Sequence, residues 1–478
     1  MRLLYDFKKQ GTRTNLKLSH IGGFLMLSER QNLDSFFQWQ RNSLVYSSFL
    51  RHYPIIFTKS TIHSNKYLST HKDVNSKIKK ISKFIDIKLP SVKTPITIKC
   101  KIENNEIQKV IFDKEQKHLF DNNTIYTNQV SPMAEIIFDK ILEANKNTII
   151  NRYQYKFASK LAVEFNNKVN YVNLIQNSHK YDLPYHTPTI IVSFEKLQKL
   201  DWTKLKNLFE TKTSVLANTF YVKLAINSGG EINVMMNEEN FKRKLNILID
   251  GTLKANIQDA NFLIQKKVNF NKNEELTHLG FIYYIKNPKN IKRIDIHAQI
   301  YSDVNQTTFL GSYISKKLEN KVLSLIDEEK IINLCKIFAK AGYEGPINFD
   351  AIINDKEQLE FIYDCNPRMT GTLPSIAIYD YFKKKHDINI DVIVPIGYRG
   401  NLYYPDIDAK LEELDSKNLL FTKKNNKGVL LIPSFVRSDS YDMWFINMGK
   451  TEIKAFAKEG LVESFSIKEK NFHTGIYF

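Results

Sequence analysis

A chain of 478 residues is longer than one compact core usually serves, so two or three structural units are expected. Hydrophobic residues make up 42% and aromatic residues 12%, which excludes disorder over most of the length. The net charge of +18 would suit an anionic partner, but the lysines are dispersed through Lys-, Asn- and Ile-rich sequence, and dispersed lysine favours compositional bias over a nucleic-acid surface.

Three widely separated cysteines, Cys100, Cys335 and Cys365, form no Cys-x-x-Cys pair, and this spacing predicts a reducing compartment without structural zinc. The first residues lack an apolar segment of signal-peptide length, and no segment approaches ~20 consecutive apolar residues. We therefore expect a soluble, cytoplasmic protein without a membrane partner.

The first 125 residues carry no catalytic motif and predict a unit of α/β or α+β type. Residues 53–58 have the composition of a short buried strand, and residues 96–112 are typical of a hairpin that turns at Asn104 and Asn105. We expect this unit to be a separate domain that packs against the rest of the chain.

Two helices and a strand are predicted next. A serine cap, a proline and an acidic first turn indicate a helix over residues 131–144. Arg152 introduces a second predicted helix over 153–165, and residues 189–192 are typical of a strand. His186 precedes that strand and is expected to be a loop residue with a local hydrogen bond.

A strand lysine followed by a glycine hairpin is the first candidate for a binding site. Residues 220–225 predict a strand that carries Lys223, Gly229 and Gly230 follow, and residues 232–236 alternate as a second strand. Glycines let backbone N–H groups approach phosphate oxygens, and the ammonium group pairs with their charge. An ordinary β-turn is the alternative, because Gly-Gly hairpins are common.

More strands and one helix are predicted further along the chain. Strands are predicted over residues 261–268 and 279–285, and apolar alternation indicates antiparallel strands over residues 294–301 and 308–313. Residues 327–341 are amphipathic and predict a helix that Gly342 ends. Near the C-terminus, residues 429–437 and 441–448 predict strands, and residues 451–459 predict a short helix.

An acidic hairpin over residues 348–366 is the most informative stretch. Two apolar runs joined by a polar turn carry Asp350 on the first strand and Asp364 and Asn366 on the second. Side chains alternate along a strand, so Asp364 and Asn366 share a face, and Cys365 should point to the packed side. Three oxygen donors on one face suit Mg²⁺, while a solvated hairpin is the alternative.

These motifs resemble the ATP-grasp superfamily, over residues 126–390. Its members hold ATP between two α+β subdomains and carry an acid or amide on one strand, then Glu-x-Asn-Pro-Arg at the end of the next. Asp350 matches the first position, and the run Asp364-Cys365-Asn366-Pro367-Arg368 matches the second, with aspartate in place of the usual glutamate.

The resemblance implies an ATP-grasp fold of α+β or α/β class in three parts. The expected parts are an N-terminal domain over 1–125, an ATP-grasp domain over 126–390 and a C-terminal extension or cap over 391–478. The glycine-loop subdomain would cover about 215–285.

The resemblance also implies the role of each candidate residue. Arg368 and Lys223 would be catalytic, and Asp350, Asp364 and Asn366 would bind Mg²⁺. Arg152 would be a second phosphate-facing cation, and the end of the third strand would receive the adenine. The expected nucleotide-binding residues are Arg152, Lys223, Asn227, Ser228, Gly229, Gly230, Gln265, Lys266, Lys267, Val268 and Glu275, with Glu274 as the rival of Glu275.

The implied reaction is ATP-dependent formation of an amide bond from a carboxylate and an amine, through an acylphosphate. ATP and two Mg²⁺ ions, or Mn²⁺, would be the cofactors, and an amino acid or peptide the substrate. Many such ligases have an arginine where this chain has Asn348, so either another cation (Arg293, Lys316 or Lys317) replaces it or substrate binding differs. The alternative is a degenerate ATP-grasp protein that binds nucleotide or an anionic polymer without ligation; a homodimer is left open.

Overall fold

The computed structural model describes most of the chain in segments. The described residues are 17–20, 53–59, 71–94, 96–103, 106–112, 124–127, 139–145, 149–152, 164–165, 167–225, 233–254, 260–270, 277–301, 309–367, 372–395, 402–403, 406–433, 440–449 and 452.

The described segments contain strands over the following ranges. They are β1 Lys17–His20, β2 Tyr53–Lys59, β3 Ile96–Glu103, β4 Glu106–Phe112, β5 Thr124–Thr127, β6 Ile149–Arg152, β7 Thr189–Ser193, β8 Phe220–Leu224, β9 Asn233–Met236, β10 Asn261–Lys266, β11 His278–Asn287, β12 Asn290–Tyr301, β13 Phe309–Tyr313, β14 Gly345–Ile353, β15 Leu359–Asn366, β16 Ile393–Pro395, β17 Leu402–Tyr403, β18 Gly428–Pro433 and β19 Ser440–Ile446.

Helices connect many of these strands. They are α1 His71–Ile85, α2 Lys168–Gln176, α3 Phe194–Gln198, α4 Trp202–Thr213, α5 Phe241–Lys254, α6 Lys316–Leu325, α7 Glu328–Lys340, α8 Leu373–His386 and α9 Ile407–Ser416. The mixture of helices and sheets confirms the expected α+β or α/β class. Among the described helices, none is both long and apolar enough to cross a membrane.

The chain divides into two compact units that interleave in sequence. The first unit holds residues 1–159, 299–320 and 368–468, and the second holds residues 160–298, 321–367 and 469–478. The domain boundaries at 125 and 390 expected from the sequence stay a prediction.

The first unit contains two sheets. One has six strands in the order β4-β3-β2-β1-β5-β6, with parallel pairing except between β3 and β4. The β3–β4 hairpin is the one predicted at Asn104 and Asn105. In the other sheet β19 pairs with β16, β17 and β18, all antiparallel, so the two strands predicted near the C-terminus form one hairpin.

The second unit contains two antiparallel sheets. The first has the order β7-β10-β8-β9, and its core is formed by alternate apolar residues such as Phe220, Val222, Phe262 and Ile264, packed against α4 and α5. In the second sheet β12, β11, β14 and β15 follow one another, and α7 packs against β11. Both sheets contribute to the candidate site described below.

Caps explain where several of these helices begin. Asp327 accepts a hydrogen bond from the amide of Glu329 and starts α7 one residue after the predicted position. Gly342 follows the end of α7 with a φ of 94°, a conformation that glycine adopts without strain and that the sequence predicted for this position. Asn167 caps α2 in the same way as Asp327, through the amide of Val169.

Candidate functional site

The acidic hairpin predicted from the sequence is present as β14 and β15. Asp350 lies directly opposite Asp364, and Asn348 lies opposite Asn366. These four residues therefore share one face of the sheet. Cys365 is buried on the other face, as expected. Between the strands the chain turns around Asn354, whose side-chain oxygen accepts hydrogen bonds from the amides of Lys356 and Gln358.

A bulge in β15 directs a backbone carbonyl out of the hairpin. Asp350 pairs with Asp364, but the next residue pairs with Phe361, so Ile362 and Tyr363 are extra residues on β15. Tyr363 has a φ of 47°, in the left-handed region. The Ile362 carbonyl accepts hydrogen bonds from Gln265 Nε2 (2.8 Å) and Lys223 Nζ (3.5 Å), which links β15 to the β7-β10-β8-β9 sheet.

Lys223 extends from β8 toward the acids. Its side chain is almost fully buried, and burial lowers the pKa of its ammonium group to about 8, partly offset by the negative charge of Asp364. A lysine buried without a matched counter-charge is costly. The structure therefore brings Lys223 together with the predicted metal ligands, as the sequence analysis proposed.

Lys168 is a second buried lysine at the site, and the sequence analysis missed it. It is the first residue of α2, its amide donates to the carbonyl of Ala225, and its Nζ lies 3.6 Å from Asp364 Oδ2. The sequence does carry a signal for this residue. Asn167 is a good helix cap, and the lysine that follows it lies in a first turn without an acid. A cation is unusual there because the helix dipole disfavours it.

Asp350 has a carboxyl group that is costly to ionise in this structure. Burial, and then the charge of Asp364, raise its pKa to about 6, although a hydrogen bond from Asn348 Nδ2 (2.7 Å) favours the ionised form. A divalent cation between the two carboxylates would remove this penalty. Asp350, Asp364 and Asn366 therefore fit a hard cation, and their oxygens are the donors that Mg²⁺ prefers.

The described residues do not form a complete metal cage. No cluster of three or more His, Cys, Asp or Glu side chains with metal-binding geometry occurs among them. The acids would thus have to share a cation with oxygens supplied by a ligand, such as phosphate.

The predicted adenine segment lies at the end of β10. Gln265 is buried and uses its side chain inside the protein, donating to Thr189 Oγ1 (3.0 Å) and the Ile362 carbonyl. The amides of Lys266 and Lys267 donate to the carbonyls of Pro188 and Thr219. Val268 follows them and is buried.

Several predicted site residues lie outside the described part of the chain. These are Asn227, Ser228, Gly229, Gly230, Glu274, Glu275 and Arg368. Arg152 is described only as the last backbone position of β6, in the first unit. Their proposed roles stay predictions.

Arg293 does not face the acids. It pairs across the strands with Tyr283, on the face of the sheet opposite to Asp295 and Asn348, and its guanidinium is paired with Glu328 of α7. Tyr283 donates to the same carboxylate. Arg293 is therefore not the cation that replaces an arginine at Asn348.

No family model matches the chain, and no curated protein matches it. Among solved structures, the chain is similar to N5-carboxyaminoimidazole synthetase from Staphylococcus aureus, with 12% identity, 94% of this chain and 98% of that chain covered, and a TM-score of 0.48. It is also similar to the biotin carboxylase domain of 2-oxoglutarate carboxylase from Hydrogenobacter thermophilus, solved with MgADP and bicarbonate, with 12% identity, 87% of each chain covered and a TM-score of 0.48. A third is phosphoribosylamine–glycine ligase from Thermotoga maritima, with 10% identity, 95% and 97% coverage and a TM-score of 0.47. These are similarities of the backbone at low identity.

Proposed function

We propose that this chain is an ATP-dependent carboxylate–amine ligase of the ATP-grasp type. One observation carries the proposal: two carboxylates, Asp350 and Asp364, face each other on neighbouring strands, and two buried lysines, Lys168 and Lys223, lie beside them. Paired acids with flanking cations suit a metal-bound polyphosphate, because the acids hold the cation and the lysines neutralise phosphate oxygens.

The metal ligands would be Asp350, Asp364 and Asn366. A Mg²⁺ ion bound by them would supply charge neutralisation for the phosphate oxygens. The number of ions and the use of Mn²⁺ belong to the same proposal. The Lys168 ammonium compensates part of the charge of Asp364, at an Nζ–Oδ2 distance of 3.6 Å.

The chemistry follows from this arrangement of charge. A carboxylate oxygen of the substrate attacks the terminal phosphorus of ATP, and ADP leaves with the electrons of the broken bond. The resulting acylphosphate is attacked at its carbonyl carbon by an amine, and phosphate leaves as the amide forms. Lys168, Lys223 and the predicted Arg368 would stabilise the negative charge that phosphoryl transfer spreads over the phosphate oxygens.

The adenine would bind at the end of β10 through backbone groups that the protein does not already use. The amides of Lys266 and Lys267 are already used by Pro188 and Thr219. The amide of Val268 and the carbonyls of this segment are the remaining candidates. Gln265 supports the segment through its buried side chain and would not contact the base itself.

The nucleotide half of the proposal is tested by calorimetric titration of the full chain with MgADP and with Mg²⁺ and a non-hydrolysable ATP analogue. We expect both to bind, and Asp364→Ala to abolish Mg²⁺-dependent binding while the circular dichroism spectrum is kept. A matched control is Asp355→Ala, since Asp355 lies in the exposed turn of the same hairpin.

The ligase half is tested by Mg²⁺-dependent ADP release with pooled amino acids, peptides and other carboxylates. Hydroxylamine is added to trap an acylphosphate as a hydroxamate. We expect ADP and hydroxamate in equal amounts with at least one pool. MgADP binding with no turnover in any pool, together with salt-sensitive RNA or DNA binding, would instead support the degenerate protein suggested by the net charge of +18.

A further inference from the structure

The polar face of the second sheet continues past the two acids to β12. Two cross-strand rows of residues lie side by side on it. One row is His297, Gly280, Asp350 and Asp364, and the other is Asp295, Ile282, Asn348 and Asn366. Asp295 and His297 thus share a face with the proposed metal ligands.

Three buried polar atoms on this face have no hydrogen-bond partner among the described residues. They are Asp295 Oδ2, His297 Nδ1 and Asn348 Oδ1. The side chains of Asp295 and His297 are 7% and 3% exposed, and the residue Asn348 is 2% exposed. Asp295 Oδ2 and His297 Nδ1 lie 3.4 Å apart and can satisfy each other, which leaves Asn348 Oδ1 without a partner. An unpartnered buried oxygen costs free energy, so it points to a ligand that can donate a hydrogen bond.

The Asn348 amide can be oriented from its neighbour. Its Nδ2 donates to Asp350 Oδ1 at 2.7 Å, and an ionised carboxylate only accepts, so Asn348 Oδ1 points away from Asp350. That oxygen needs a donor. A ligand that satisfies it must therefore carry an N–H or O–H group.

The imidazole of His297 has a similar need. Its Nδ1 lies 3.4 Å from Asp295 Oδ2, which is close enough for a small movement to form a hydrogen bond. When Nδ1 carries the proton and donates to Asp295, the other nitrogen, Nε2, is an acceptor. Asp295 thereby selects the tautomer whose Nε2 requires a donor.

The two acceptor atoms, His297 Nε2 and Asn348 Oδ1, both lie close to Gly280. A Cβ at Gly280 would lie 2.2 Å from His297 Nε2 and 2.9 Å from Asn348 Oδ1, so the two atoms are separated by no more than the sum of these distances. Two hydrogen bonds of about 2.9 Å each span such a separation. A single nitrogen with two N–H groups can therefore donate to both.

We infer that His297, oriented by Asp295, and Asn348 bind the amino group of the acceptor substrate, which is a primary amine. This inference rests on the proposed function and names the substrate class of its second step. It also gives the second step a proton acceptor.

The amine lone pair forms the C–N bond at the acyl carbon, and the bond from that carbon to the phosphate oxygen breaks, so phosphate leaves with its electrons. The nitrogen becomes positively charged and passes one proton to His297 Nε2. The imidazolium is stabilised by the carboxylate of Asp295.

The groups around His297 would disfavour a carboxylate beside the amine. Asp295 is a carboxylate, Asn348 presents an acceptor oxygen and Arg293 is on the opposite face, whereas the two buried lysines lie beside Asp364. The acid to be activated would therefore bind on the lysine side of this face.

Ethylamine is a suitable probe, with ethyltrimethylammonium as its control, because the second cation has no N–H group. The full chain is saturated with MgADP, and each cation is titrated calorimetrically. We expect ethylamine to bind at least about tenfold more tightly than ethyltrimethylammonium. Equal binding of the two cations, or binding of neither, would overturn the inference, whereas failure of MgADP itself to bind would overturn the proposed function.

Two variants and a spectrum separate this role from a structural one. Asp295→Asn should weaken ethylamine binding about tenfold or more and leave MgADP binding unchanged. Asp380→Asn is the matched control, since Asp380 is also a buried acid with one unpartnered oxygen, but on α8. The ring nitrogens of His297, observed by long-range ¹H–¹⁵N NMR, should show the Nδ1–H tautomer in the wild-type protein. A proton on Nε2 instead would contradict the inference even if Asp295→Asn does not fold.

Discussion

Lys168 shows how a single residue can be kept in an unfavourable place. It occupies the first position of α2, where the helix dipole disfavours a positive charge, and it is almost fully buried. Asp364 is a counter-charge for it at 3.6 Å. A metal bound by Asp364 would compete with the lysine for that carboxylate, so Lys168 becomes available for a phosphate group of the incoming nucleotide.

Lys168→Met should therefore weaken binding of Mg²⁺ with an ATP analogue about ten- to hundredfold, the loss expected for a hydrogen bond to a charged group. The measurement is calorimetric titration. Lys330→Met is the control, because Lys330 is also on a helix and paired with an acid, Asp182 (2.9 Å), at a partly exposed position. An unchanged affinity in Lys168→Met would exclude a phosphate contact.

His186 gives the protein a specific sensitivity to acid. Its Nδ1 donates to the carbonyl of Pro184 (2.8 Å) and its Nε2 accepts from the hydroxyl of Tyr171 (2.8 Å). Burial lowers the pKa of its imidazole from the ordinary 6.5 to about 4. The folded protein thus binds fewer protons than the unfolded chain between these values, and stability is lost as the pH falls through them.

We expect this group to contribute about 3 kcal/mol to the free energy of unfolding above pH 6.5, and to lose that contribution progressively toward pH 4. Urea titrations over this range measure the effect. His186→Gln should flatten the pH dependence, whereas His179→Gln, nearby in sequence, should not. Identical pH profiles for wild type and His186→Gln would refute the assignment.

At the residue scale, the sequence was informative where partners are close along the chain. Asp350, Asp364 and Asn366 belong to one hairpin, so alternation alone placed them together. Lys168, Asp295 and His297 were missed because three-dimensional contacts bring them to the site. The positions of their partners depend on the register of β11 and β12 and on the start of α2, and these are not visible in local sequence.

At the scale of elements, the bulge in β15 connects two sheets. It adds Ile362 and Tyr363 to one strand and thereby turns the Ile362 carbonyl toward Lys223 and Gln265. Most strands were predicted from apolar runs or from alternation, including β8, β10, β14 and β15 around the site. The bulge was not, because Tyr363, with a φ of 47°, is neither glycine nor asparagine, the usual signs of such a conformation.

At the same scale, the packing of β11 requires a glycine at position 280. A Cβ there would approach His297 Nε2 to 2.2 Å, so Gly280→Ala must displace the imidazole or separate the strands. We expect a loss of about 1–3 kcal/mol in the free energy of unfolding, measured by urea titration, together with weaker ethylamine binding. Gly449→Ala is the control, since its Cβ would meet its nearest atom at 3.6 Å, an ordinary contact. Equal stability of the two variants would show that β11 tolerates a side chain at this point.

At the scale of the whole molecule, the chain forms two compact units, and each unit is built from three separate segments of the sequence. Lys168, Lys223, Asp295, Asp350 and Asp364 all belong to the second unit. A ligand that binds these residues stabilises the folded form of that unit by mass action. Local sequence gives no sign of units built from interleaved segments, because the contacts that join those segments link residues far apart along the chain.

We expect urea unfolding to show two transitions, one for each unit. MgADP at a hundredfold excess over its dissociation constant should raise the free energy of unfolding of the second unit by about 2.7 kcal/mol. Fluorescence assigns them, because Trp202 lies in the second unit and Trp444 in the first. Variants that retain one of these tryptophans are compared. A shift seen only through Trp444 would place the nucleotide elsewhere.

Alkylation of the three cysteines can report on local opening of the structure, since each thiol is buried in a different strand or helix. All are free thiols and buried, with Cys100 on β3 in the first unit and Cys335 and Cys365 in the second. Burial raises the pKa of the Cys100 thiol to about 12, so the reactive thiolate is scarce until β3 opens. Cys365 stands between Asp364 and Asn366, and its rate of alkylation therefore measures how often the strand that carries these two proposed metal ligands separates from its neighbours.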